Sequence, residues 1–322
     1  MVLVVLGHSR GLPDYLVTLI FGFHVPLFFF ISGFLIKPSK LDAAISRYAK
    51  KILQTLAIPY FLFFLLAFLY WLATRNIGAK ALLTAGQAWY SPVAGLFTGL
   101  ESDLFVDPPL WFFPCLIMTA ISYHALRKFL TLTAATCICV ALAFVITLFW
   151  KDSPFRLPLS LDSMWVALSF YAVGQYVREK NFFSNIKPGY LFLIFIIAAA
   201  LLVYAEGLNG KVDFANMHFG RWPALYMPTA LLGIIATFAV SALFPVSRAS
   251  AWISKNTLTI FPVHFIFLSL VRGVMVSLHT IPNDYAYGIE WSVVSSALSI
   301  LFCVPLVVFL RRMPISITRN SH

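Results

Sequence analysis

Long apolar runs, cut by short charged clusters and by Pro, Gly and Asn turns, fill most of this chain. The cuts leave runs at 15–36, 52–74, 110–126, 129–150, 160–177, 189–205, 223–245, 256–278 and 287–310. A hydrocarbon core about 30 Å thick needs about 20 apolar residues per helix, so each run is the size of one membrane span. In lipid only a helix or a closed barrel satisfies its own backbone, and runs this continuous predict helices. Nine full spans result. Ahead of them, MVLVVLGH is apolar but too short to cross, and SRGLPD at 9–14 reads as a polar turn. Residues 1–8 are therefore expected to be the outgoing end of a tenth span. The fold class predicted is an all-α, polytopic integral membrane helix bundle. No repeat, low-complexity tract or long linker divides it, so 1–322 is expected to form a single domain. The stretch AWYSPVAGLF, inside the connection at 75–109, is expected to form a short interfacial helix.

Composition agrees and removes one class. Of 322 residues, 61% are hydrophobic and 11% charged, with a mean hydropathy of +0.88. Soluble domains carry about 25% charged residues, so a water-soluble fold is excluded. The net charge of +11 is then no sign of nucleic acid, because its distribution is topological. Loops at 37–51, 127–128, 178–187, 248–255 and 311–322 hold 15 Lys and Arg, with Asp42 and Glu179 as their acids. The opposite loops hold 7 bases and 10 acids. Cytoplasmic loops are the basic ones, which puts the C-terminus in the cytoplasm. The location expected is the bacterial cytoplasmic (inner) membrane. Cys115, Cys137, Cys139 and Cys303 all lie in apolar runs and are read as small apolar residues; C-x-C puts two thiols about 200° apart on a helix, wrong for one metal.

Ionisable groups inside spans are costly, which makes them the first functional candidates. His24 in FGFHVPLFFFISGFL and His264 in NTLTIFPVHFIF are mid-span, His8 ends the first apolar run, and Arg272 lies inside the same span as His264. No acid falls mid-span on these boundaries, which argues against ion-coupled transport. Pro26 follows His24 by two residues and Pro262 precedes His264 by two, and each frees a carbonyl, at Gly22 and Leu258. Counting about 1.5 Å per residue puts both imidazoles about 12–13 Å from a span end, near the midplane. Each is either part of a wet cavity or a structural interhelical partner. Soluble-type acyltransferase, P-loop, zincin and nucleophile-elbow motifs are absent, and HSRGLPD has the wrong spacing for an H-x4-D pair.

VLVVLGHS, FHVPLFFFISGFLI, PPLWFFPCLI and NTLTIFPVHFIF, in this order, resemble the membrane-bound acyltransferase type 3 family. The likeness is closest to its fucose 4-O-acetylase-like branch. Pro26, Phe28, Phe29, Ser32 and Gly33 carry the most specific segment, and LWFF at 110–113 a second. The resemblance implies O-acyl transfer, usually acetyl, from a cytoplasmic acyl-CoA to a hydroxyl of a glycan or lipid-linked sugar. No metal is implied. It makes the residue at His8 catalytic, and a basic residue eleven positions upstream belongs to that motif; here that position falls before residue 1. Span 1 is accordingly expected to lack roughly its first ten residues.

On this reading His8 is the general base, with an unperturbed pKa of about 6.5 suited to the task. His24 is a second catalytic imidazole, orienting the acceptor or donating to the oxyanion. His264, Trp111, Ser32, Asn256 and Arg272 are candidate acceptor contacts. Trp111 either stacks on a sugar or anchors the interface. Ser32 either forms an acyl intermediate or makes an interhelical hydrogen bond. Arg272 either snorkels outward or binds an anionic part of the acceptor. Lys37, Lys40, Arg47, Lys50 and Lys51 either hold the CoA phosphates or mark the inner side alone. The rival classes are a small-molecule permease or glycan exporter, and an inactive truncated homologue.

Overall fold

The computed structural model describes residues 1–77, 86–150, 153–183, 186–280 and 288–312, and of Lys40 the backbone alone. Helices account for most of it, and the described residues contain no strand, only an isolated bridge between Asp213 and His218. The helices are α1 (Val2–His8), α2 (Asp14–Phe34), α3 (Pro38–Leu41), α4 (Ile45–Thr74), α5 (Pro92–Thr98), α6 (Phe112–Phe129) and α7 (Leu132–Phe149). They continue with α8 (Leu161–Glu179), α9 (Pro188–Asn209), α10 (Pro223–Leu243), α11 (Arg248–Lys255), α12 (Thr257–Ser277) and α13 (Ile289–Arg312). A 3-10 turn, Pro108–Trp111, leads into α6. The interfacial helix expected in AWYSPVAGLF is α5, with Trp89 and Tyr90 exposed beside its start.

Nine of these helices have 18 residues or more, one for each predicted span. Eight are apolar enough to cross a membrane unaided. The ninth is α8, LDSMWVALSFYAVGQYVRE, whose Asp162, Ser163, Ser169 and Gln175 are all buried. It packs against α2 on one side and α7 on the other, so protein replaces lipid as its solvent.

The chain forms two compact units, interleaved in sequence. One comprises Met1–Pro13, Leu53–Pro114 and Arg248–His322. In it α1 packs on α12 and α13, and the Pro108–Trp111 turn packs on α12. The other comprises Asp14–Ile52 and Cys115–Ser247, with α8 at its centre and α9 and α10 paired antiparallel beside α2. Its closest approach explains the most specific motif. A Cβ on Gly33 would lie 1.9 Å from the Tyr171 carbonyl oxygen, and one on Gly174 would lie 2.0 Å from that of Phe30. Small residues on both helices let the backbones of α2 and α8 touch, the usual basis of tight helix contact in lipid.

Three sequence boundaries need correction. The helix α4 begins at Ile45, so Arg47, Lys50 and Lys51 stand on its first turns and not in a loop. The helix α9 runs to Asn209, which takes Glu206 out of the expected outer loop and buries it. Residues 210–222, expected as a plain loop, form a pinned cap. Asn209 donates to the Phe219 carbonyl (3.0 Å) and accepts from the Trp222 N–H (2.8 Å), while Phe214 stacks on Phe29.

Candidate active site

His8 ends α1 because Ser9 leaves the helix for an extended backbone, turning its hydroxyl onto the Leu6 carbonyl (2.6 Å). Ser292 of α13 donates to the Arg10 carbonyl (2.9 Å), tying this short helix end down. His8 is half-buried, and its ring centroid lies 5.3 Å from that of the fully buried His264, the planes tilted by 47°. Two histidines some 250 residues apart in sequence thus form one pair within a single compact unit. At that separation one hydroxyl or one water can bridge the rings.

The helix around His264 fixes its tautomer. Its Nδ1 bonds the Phe261 carbonyl, and a carbonyl only accepts, so Nδ1 carries the proton and Nε2 the lone pair. His24 follows the same rule in the other unit: Nδ1 donates to the Ile20 carbonyl at 2.9 Å, and the Phe21 ring meets it edge-on at 4.8 Å. Behind His264, α13 presents Ser292, Ser295, Ser296 and Ser299, all buried, and Ser299 donates to the His264 carbonyl (3.2 Å). The sequence carries a usable signal for this serine face, since its four members stand at i, i+3, i+4 and i+7 on an apolar helix.

The LWFF segment joins the same unit. Phe112 and Phe113 pack on Phe261 at 5.1 and 6.1 Å, Phe261 meets His264 at 6.0 Å, and Trp111, itself buried, meets Phe112 edge-on. Just before the span, Asp107 is 0% exposed, and neither carboxylate oxygen has a hydrogen-bond partner among the described residues. Burial pushes this carboxyl well above the usual carboxylate range, toward its neutral form. In the sequence Asp107 is only one of the acids of the connection at 75–109.

The remaining predicted residues divide. Asn256 stands at the joint between α11 and α12, with Nδ2 on the Trp252 carbonyl (2.6 Å) and Oδ1 accepting from Arg311 (2.8 Å), which gives it a structural task. Ser32 donates to Phe28 of its own helix (2.8 Å), not to a neighbouring one. Arg272 is half-buried on α12. Lys37, Arg47, Lys50 and Lys51 are exposed on one segment, and the side chain of Lys40 lies outside the described residues. That segment is anchored by residues outside the predicted set. His124 donates Nε2–H to the Ala43 carbonyl (3.0 Å) and stacks on Tyr48 with centroids 4.1 Å apart and planes within 4°. Lys128 donates to the Asp42 carbonyl, and Arg178 to that of Phe34. Among the described residues no group of three or more His, Cys, Asp or Glu side chains is arranged to hold a metal ion.

The family model of an acyltransferase domain, acyltransferase 3, matches residues 1–310. The chain belongs to the acyltransferase 3 family. No curated protein and no solved structure matches it significantly. The match takes in both compact units and every candidate residue above. It identifies an integral membrane protein with an acyltransferase domain, and the histidine pair, the aromatic run and the basic segment are features of this acyltransferase.

Proposed function

We propose that this acyltransferase moves an acetyl group from acetyl-CoA to a hydroxyl of a glycan or lipid-linked sugar, with His8 as the general base. The observation that carries the reading is the close pairing of His8 with His264 within a family of acyl-transferring membrane proteins. A sugar hydroxyl is a weak nucleophile and needs a base within hydrogen-bond reach. The lone pair on an imidazole takes the hydroxyl proton as the oxygen attacks the thioester carbon. The C–S bond then breaks, the proton passes to the departing thiolate, and free CoA leaves. His264, with Nδ1 held by backbone, orients the hydroxyl or supplies the return path for that proton. His24 serves as a second catalytic imidazole.

Lys37, Lys40, Arg47, Lys50 and Lys51 would bind the CoA phosphates, since their cluster lies on the side that the charge bias marks as cytoplasmic. No metal takes part. The whole chain acts as one transferase domain in a bacterial cytoplasmic membrane, with its C-terminus inside. The direct test supplies purified protein with radiolabelled acetyl-CoA and saccharide acceptors. Label transferred to saccharide by the wild type and lost in His8→Ala is the expected result. Transfer undiminished in His8→Ala, or solute flux with no thioester consumption, overturns the reading.

A further inference from the structure

A cavity of about 530 Å³ opens in the second compact unit, lined by Asp14, Val17, Thr18 and Phe21 of α2 and by Lys211, Val212 and Asp213. Its size suits a ligand of one or two sugar rings, since small-molecule sites span about 300–1,000 Å³. One wall is the first two turns of α2. The other is the capped segment after α9, which an ion pair between half-buried Arg156 and buried Asp162 ties down. Arg156 makes a bidentate pair with Asp162 and also reaches the Asn216 side chain (3.2 Å) and the Ala215 carbonyl (2.7 Å). Asn216 in turn donates to both oxygens of Asp213, at 2.9 and 3.2 Å, and the Asp213–His218 bridge closes the turn. The lining is therefore built before any ligand arrives, which lowers the ordering cost of binding.

The chemistry of the lining selects among occupants. An acyl chain would cover the Asp14 carboxylate, the Lys211 ammonium and the Thr18 hydroxyl without offering them hydrogen bonds, and would exclude water from an Asp213 carboxylate held only by Asn216, at a cost of kcal/mol for each group desolvated. An anionic head group would meet Asp14 and Asp213 against one Lys211. A neutral polyol meets all of them: its hydroxyls donate to the carboxylates and accept from Lys211 and Thr18, and its C–H face lies on Phe21. Phe21 is also the ring in edge contact with His24. Between these two residues in the chain, Gly22 makes room for the Glu206 carboxylate, whose oxygens would lie 1.8 and 3.2 Å from a Cβ there. That carboxylate is buried, and neither oxygen has a hydrogen-bond partner among the described residues.

We infer that this cavity is a saccharide-binding site of the second unit and that it takes an uncharged, hydroxyl-rich saccharide unit, with Phe21 as its platform and Asp14, Thr18, Lys211 and Asp213 as its hydrogen-bonding rim. The inference rests on the transferase reading for its purpose but not for its test. Purified protein in a polyoxyethylene detergent, which carries no sugar head group, is titrated with maltose, lactose and chitobiose, and separately with lysophosphatidylcholine. Binding is followed by calorimetry and by the shift in apparent Tm. A saturable saccharide signal is expected, weakened at least tenfold in Phe21→Leu and in Lys211→Gln, with the unliganded Tm of both variants matching the wild type. Lys211 is exposed, so its replacement keeps the test open even if Phe21→Leu disturbs packing. Saccharide binding unchanged by both substitutions, or binding of the lysolipid alone, overturns the inference. Saccharide binding that depends on these residues without any acetyl transfer supports it, and counts against the transferase reading instead.

Discussion

The rings of His8 and His264 stand 5.3 Å apart at the junction of α1 with α12 and α13, each approached from a different helix. On the proposed mechanism such a pair would share one substrate hydroxyl, and groups that act on one proton fail together. His8→Ala and His264→Ala are each expected to lower kcat by about 10²–10⁴-fold, the range of a general acid or base. The double variant should lose little more than the worse single one, as residues working as a unit do. Losses that multiply would show two independent roles and end the pair assignment. Single-turnover kinetics with labelled thioester give the numbers.

Gly33 and Gly174 hold α2 against α8. Gly33→Ala forces a Cβ into the Tyr171 backbone, which cannot swing aside as a side chain can. Overpacking of this kind costs about 1–3 kcal/mol. Gly273→Ala, with nothing within 4 Å of the added carbon, is the matched control and should hold or slightly raise the apparent Tm. A Gly33→Ala protein melting with the wild type would show that the crossing tolerates a wider gap.

Asp107 makes stability depend on pH. Its folded pKa lies above the unfolded value, so the folded state holds the proton more tightly. The contribution is fully present below the unfolded pKa of about 4 and is lost as pH rises toward the folded pKa. Asp107→Asn removes that dependence. Its apparent Tm should exceed the wild type's at pH 8 by a few degrees, and the gap should close as pH falls toward 4. A gap that widens in acid would reverse the sign and show Asp107 held as a carboxylate.

The features of this fold differ in how far the sequence reveals them. Span count and helix type follow from run length alone, which is why even α8, too polar to stand in lipid, is legible as a span. The end of α9 was not, because Glu206 and Asn209 look like loop residues until the cap at 210–222 gives Asn209 its partners. The start of α4 was missed because Arg47, Lys50 and Lys51 end the apolar run while the helix itself continues. Periodicity marks His264 as one face of a helix but carries no information about which distant residue faces it. The pairing with His8 and the stack of Tyr48 on His124 are tertiary facts. The burial of Asp107 is another, since a carboxyl that nothing solvates looks in sequence like any loop acid.

The stack of His124 on Tyr48 bears on the donor. With His124 bonded to Ala43 and Lys128 to Asp42, the basic segment is anchored at two points, and on the proposed function that anchoring would hold its charges for the CoA phosphates. His124→Ala should raise KM for acyl-CoA about five- to tenfold while kcat and the acceptor KM stay within twofold, the pattern of lost ground-state binding. Lys50→Gln should do the same and flatten the salt dependence of that KM. An acceptor KM that moves instead would place the donor elsewhere.

Arg156 offers the last test, because its two tasks separate. Removing it strips the buried Asp162 carboxylate of its partner, and breaking such a pair costs about 3–5 kcal/mol. Replacing both partners removes the stranded charge, so Arg156→Met with Asp162→Leu should regain much of the melting temperature that Arg156→Met loses. The double variant still lacks the guanidinium bonds to Asn216 and Ala215, which hold the wall carrying Asp213. Stability should therefore recover while saccharide affinity does not. If both recover together, the ion pair serves α8 alone and the wall is rigid for other reasons. If neither recovers, the bonds to the cap are what stabilise this unit, and Asp162 is a minor partner. The recovery pattern, read from apparent Tm and saccharide titration on the same samples, decides between a fold device and a site device.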